Sequence, residues 1–181
     1  PADHVQRPSE GRIIMNERLQ KLFFAMVDFD PDPERIQHFT KVHAYAALIA
    51  DGESMSGIRR REILEAAAIV HDIAIRLCLE KYGSCAGPLQ EKEGPALVRR
   101  MLPQFGWDEA FIERVAWLVG HHHTYSPIDS DDHQILVEAD FLVNAYEGAH
   151  SEAANRATLK NIFKTRTGSK LFQTMFHVSE E

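Results

Sequence analysis

A chain of 181 residues with 44% hydrophobic and 26% charged residues has the size and composition of one globular domain with a full core. Its formal net charge of −7 argues against the broad basic surface of a nucleic-acid binder, and no apolar run reaches membrane-spanning length. Two cysteines, Cys78 and Cys85, are too few for a disulfide framework, and their spacing matches no zinc knuckle.

The opening segment, Pro1–Gly11, is polar and lacks the apolar core of a signal peptide, so a cytoplasmic protein is expected. That segment is expected to be disordered or trimmed. A first helix is expected over Arg12–Val27, with Ile13, Leu19, Leu22, Phe23 and Met26 on its inner face. Asp30-Pro31-Asp32-Pro33 ends it, and Asp32 as N-cap with Pro33 at the first helical position starts a second, which runs to Ala50 and stops at Asp51-Gly52. A third helix runs to Tyr82-Gly83, and a fourth from Pro88 to Gln104, with Gly94-Pro95 as a point of bending. Asp108 caps a fifth reaching about His122, Asp131–Glu147 is a sixth, Ser151 caps a seventh to Lys164, and Lys170–His177 is a short last one. No convincing strand alternation, internal repeat or low-complexity segment occurs. The expectation is an all-α protein, an irregular multi-helix bundle in a single domain spanning 1–181.

The third helix carries the feature around which the rest is arranged. Ala66-Ala67-Ala68-Ile69-Val70-His71-Asp72-Ile73-Ala74 is an apolar run broken only by a histidine and an aspartate. With apolar residues at helical spacing on both sides, His71 and Asp72 are expected inside a largely buried helix. A buried carboxylate needs compensation. A divalent cation supplies it, since aspartate oxygen and histidine nitrogen are both common ligands. A histidine hydrogen-bonded to the carboxylate would supply it too.

Two other segments repeat the anomaly. His38 lies on the line His38, Val42, Tyr45, Ile49 and faces inward, whereas His43 points about 140° away and reads as structural. Asp140 sits among Leu136, Val137, Val143 and Asn144, while Glu138 lies at another angle and is expected in solvent. His4, His133 and His177 are likewise expected outside any metal's ligand set. Three segments placing polar groups inward together suit a metal site better than three independent core contacts.

This order, one histidine, an adjacent His-Asp pair and a distant aspartate, resembles the HD-domain metal-dependent phosphohydrolases. The likeness runs from about Arg35 to Glu147, through Ile69–Ala74 and Leu136–Asn144. It implies an all-α HD-type fold and a divalent metal held by His38, His71, Asp72 and Asp140. Mixed nitrogen and oxygen ligands leave manganese, iron, cobalt, nickel and zinc equally open. Many relatives carry a lysine three residues after the aspartate of the pair. Here that position is Ile75, with Arg76 next.

His121-His122-His123 closes the fifth helix, where some relatives place histidines for a second metal or the substrate. His122 has the best inward projection, His121 lies near it, and His123 is expected to fray outward. A polar helix end favoured by the dipole is the competing reading. Glu93, one turn before Leu97, is a further candidate ligand or proton acceptor, against a solvated surface role. In two-metal relatives a histidine often occupies this segment; Gln90–Glu93 has none, so the resemblance implies one metal rather than two. Arg59-Arg60-Arg61 and Arg99-Arg100 read as exposed helix faces.

The resemblance implies hydrolysis of a small phosphorylated metabolite, a nucleotide among the candidates. Asp72 would be a ligand that also orients water, and His121, His122 or Glu93 would hold substrate or relay a proton. The alternative is a non-catalytic metal- or ligand-binding HD module with a sensing or scaffolding role. No feature of the sequence specifies the oligomeric state.

Overall fold

The computed structural model describes residues 16–179. The expectations for Pro1–Gly11, His4 and the Arg12–Ile13 start of the first helix fall outside the described residues. Those described form α-helices and no strand, in agreement with the all-α expectation. In chain order they are α1 (Glu17–Phe29), α2 (Pro33–Gly52), α3 (Ile58–Val70), α4 (Ile75–Tyr82), α5 (Gly87–Met101), α6 (Glu109–Val119), α7 (Asp131–Glu147), α8 (Glu152–Ile162) and α9 (Arg166–Phe176). A 3-10 turn, Leu102–Phe105, follows α5, and no described helix is long and apolar enough to cross a membrane.

The helix starts follow local chemistry. Asp32 accepts from the backbone N–H groups of Glu34 and Arg35 at 2.9 and 3.1 Å, and Pro33 occupies the first helical position, where no donor is missed. Asp108 caps α6 through Phe111 N–H, and Ser151 caps α8 through Ala154 N–H. α3 is the central element. Leu64 and Ala66–Val70 are all fully buried, with α1, α2, α6 and α7 packed around them. Three consecutive alanines let those helices approach on every side. Arg59 and Arg60 at its start are exposed and pair with Asp108 and Asp131, whereas Arg61 is half-buried between Asp51 and Glu65.

Two expectations are corrected. The third helix does not continue through the His-Asp pair. It ends at Val70, and residues 71–74 form tight turns in which Ile73 N–H donates to Val70 O and Ile75 N–H to Asp72 O, both at 3.0 Å. No glycine or proline announces this break, and every residue in it tolerates a helix. Glu138 is not in solvent but fully buried. It accepts from Lys164 N–H, Thr165 N–H, Gln134 Nε2 and Thr165 Oγ1, closing the α8–α9 junction against α7. Gly168, at the start of α9, leaves the room: a Cβ there would press on Glu138 Oε2 and lie 2.7 Å from Thr165 Oγ1.

Candidate metal centre

α2, the α3–α4 turn and α7 converge on one point. His38 Nε2 lies 3.2 Å from His71 Nε2, 3.2 Å from Asp140 Oδ1 and 3.4 Å from Asp72 Oδ2. His71 Nε2 lies 3.4 Å from the same Asp72 oxygen and 3.6 Å from Asp140 Oδ1. The break after Val70 serves this convergence. A 3-10-like turn separates successive side chains by about 120° rather than 100°, and the chain can then swing both His71 and Asp72 toward the centre.

Proton accounting gives the cluster its chemistry. His71 Nδ1 lies 2.9 Å from Ala68 O, which can only accept, so Nδ1 carries the proton. His38 Nδ1 donates to Glu147 Oε2 at 2.8 Å. Neutral rings with Nδ1 protonated turn bare lone pairs at Nε2 toward each other and toward two carboxylates. Such a set of acceptors is repulsive unless a cation sits among them. Without a metal, a proton fills that role. Burial pulls His71 down, yet the charge of Asp72 and the hydrogen bond to Asp140 hold it well above the usual histidine range. Burial pushes both aspartates up, yet the histidines hold them well below the usual carboxylate range. The donor set therefore fits a divalent ion, with nitrogen and oxygen ligand atoms mixed.

A second group shares Asp72. His122 Nε2 lies 3.6 Å from Asp72 Oδ1, the oxygen turned away from His38 and His71, and its Nδ1 donates to Val119 O at 2.7 Å. His123 completes a triad with Asp72 and His122 whose ligand atoms lie within 4.8 Å of one another. The Nε2 atoms of His122 and His123 are buried without a hydrogen-bond partner. Burial, with His122 beside it, pulls His123 down to about 4, so its ring is uncharged near neutrality. The expectation that His123 frays outward is thus corrected: it lines the cavity, held by Glu91 Oε1, which accepts from its backbone N–H at 3.0 Å. Gly87 makes way for it, since a Cβ there would lie 2.8 Å from the His123 ring.

Other candidates go elsewhere. His121 stacks on Trp117 with ring centroids 4.0 Å apart and turns Nδ1 to Trp117 O, away from the cluster. The cause is the end of α6 at Val119, after which three successive side chains leave in different directions. Glu93 accepts from Tyr82 Oη at 2.5 Å and Lys81 Nζ at 2.9 Å, on the α4–α5 contact. His43 pairs with Glu65 at 3.0 Å, and His133 donates Nε2–H to His121 O at 2.9 Å. His177 ends α9. Arg76 lies over the Phe29 ring and does not take the place of the missing lysine, while Ile75 lines the cavity.

The cluster opens into a cavity of about 280 Å³. Arg35 is in its wall, its guanidinium held by buried Asp30 through bonds of 2.6 and 2.8 Å. Asn144 and Glu147 also line it. Sequence reasoning passed over Arg35, Asn144 and Glu147 as site residues. For the last two a signal existed, since Asp140, Asn144 and Glu147 fall at i, i+4 and i+7 on one face of α7.

The HD-domain family model matches residues 35–150. A solved structure, that of a predicted HD superfamily hydrolase from an uncultured Thermotogales bacterium, is similar at 26% identity and a TM-score of 0.60, covering 89% of this chain and 84% of that one. No curated protein matches. The family match spans well over half of the sequence and contains every residue of the two metal-ligand groups, and the chain belongs to the HD-domain family.

Proposed function

We propose that this protein is a metal-dependent phosphohydrolase acting on a small phosphorylated metabolite, with nucleotides among the candidates. The observation that carries the reading is the acceptor-only cluster of His38, His71, Asp72 and Asp140 at the base of a small cavity. These four residues would hold one divalent ion. Such an ion neutralises charge on a phosphoryl group and lowers the pKa of a water beside it.

The chain's own residues supply the rest. Arg35, kept in place by Asp30, gives the cavity wall a positive group for an anionic substrate. Asp72 has one oxygen toward each histidine group and is placed to hold water between them. His123, in the cavity wall with a buried and unpartnered Nε2, is available to contact the substrate. At about 280 Å³ the cavity suits a metabolite rather than a polymer.

A second reading is favoured by the orphaned Nε2 atoms of His122 and His123: with Asp72 they would hold a second, weaker ion. The deciding experiment is a screen of phosphorylated metabolites for phosphate release, with each candidate metal added in turn. Metal-dependent release from one substrate class supports the proposal. Tight metal binding with no release from any compound would replace it with the sensing or scaffolding module.

A further inference from the structure

Three histidines turn Nε2 toward the ligand groups, and each is aimed by what its Nδ1–H meets. For His71 and His122 the acceptor is a backbone carbonyl, Ala68 O and Val119 O. No side-chain change can remove those. His38 differs, since its acceptor is a side chain, Glu147 Oε2 at 2.8 Å, 109 residues away in sequence. Glu147 is itself fixed at its other oxygen, where Lys41 Nζ donates at 2.6 Å. Lys41 belongs to α2, as His38 does, and Glu147 is the last residue of α7. Glu147 also stands between the cavity and a neighbouring groove of about 470 Å³, and it shares that boundary with Glu34.

We infer that Glu147 is a positioning residue for the metal centre: it selects the His38 tautomer that presents Nε2 to the ion and makes that ring a stronger donor, with Lys41 holding the carboxylate in register. The inference rests on the metal reading above. The physical basis is general. A carboxylate accepting the distal N–H of a ligating imidazole fixes the ring and raises its basicity, and loss of such a partner typically weakens metal binding about 10- to 100-fold. The bland alternative is a surface ion pair that merely ties α2 to α7, which would leave metal affinity alone.

The test is titration of the full chain with Mn²⁺, followed by the loss of the free-ion signal in electron paramagnetic resonance. Glu147→Ala is expected to weaken Mn²⁺ binding about 10- to 100-fold, with far-UV circular dichroism unchanged. Glu147→Gln, which keeps an acceptor for His38 without the charge, is expected to lie between it and the wild type. It carries the comparison if the alanine variant folds poorly. Glu34→Ala removes the same charge from the same cavity rim without touching a histidine, and its loss should be much smaller. Binding by Glu147→Ala within threefold of wild type, or an equal loss in Glu34→Ala, overturns the inference. If the wild type does not bind Mn²⁺, the same variants are compared by equilibrium dialysis with Fe²⁺, Co²⁺, Ni²⁺ and Zn²⁺, and failure of the wild type with all of them removes the metal reading and the inference together.

Discussion

Asp140 offers the sharpest test of the metal centre. Its carboxylate is almost fully buried, faces His38 and His71 at 3.2 and 3.6 Å, and is held by Asn144 Nδ2 at 2.8 Å. Asp140→Asn preserves the shape and the acceptor oxygen but removes one of two negative charges that would balance a dication. Solvent can repair little of that loss at a buried position. Removing one partner of a buried ion pair costs about 3–5 kcal/mol. At about 1.4 kcal/mol per factor of ten, this predicts Mn²⁺ affinity reduced by roughly 100- to 4,000-fold. Metal-dependent phosphate release should fall below detection at metal concentrations that saturate the wild type. The helical signal in far-UV circular dichroism should remain, since α7 buries many other side chains. Mn²⁺ affinity within threefold of wild type, with turnover unchanged, would remove Asp140 from the site.

Three further outcomes are expected. Gly168→Ala should lower the Tm by roughly 5–10 °C, because a displaced Glu138 loses one or more charge-assisted hydrogen bonds of about 1.5–3 kcal/mol each; a shift under 2 °C in a thermal melt would refute the role given to that junction. Saturating Mn²⁺ should load a second, weaker equivalent, measured by equilibrium dialysis. The His122→Gln/His123→Gln double variant should lose that equivalent alone, and a stoichiometry that never exceeds one would dismiss the second ion. The third outcome concerns Asp129, where hydrogen bonds from Arg114 hold the carboxyl down at about 2, against an ordinary 3.8. A depressed folded-state pKa adds stability that is complete above the unfolded value and disappears as pH falls through the folded one. The stability gap between wild type and Asp129→Asn in urea should therefore be constant above about pH 5 and close toward pH 2; a gap independent of pH would refute it.

Much of the architecture was legible because its determinants are local. Asp32-Pro33, Asp108 and Ser151 mark helix starts by chemistry that acts within three residues, and the structure places caps at each. The polar members of the cluster stood out for a related reason. His38, His71, Asp72 and Asp140 each interrupt an apolar helical stripe, and a misfit with the immediate neighbours is visible without knowing the partner. Glu138 interrupts a similar run and was read as solvated. Its satisfaction comes from Lys164 and Thr165, on a segment that no local pattern connects to α7.

What the tertiary structure alone decided is where remote segments meet. The turn at residues 71–74 contains no breaker residue, and it places His71 and Asp72 against groups on α2 and α7 that lie far away in sequence. The three neighbouring histidines after α6 are indistinguishable in composition. Their fates diverge because Trp117 takes one ring while Asp72 and the cavity receive the other two. Along the chain Glu93 is as eligible as any carboxylate, and only the fold sets Lys81 and Tyr82 against it. The partner of His38 lies 109 residues away, and periodicity along a chain can say which face a residue occupies but not what that face will touch.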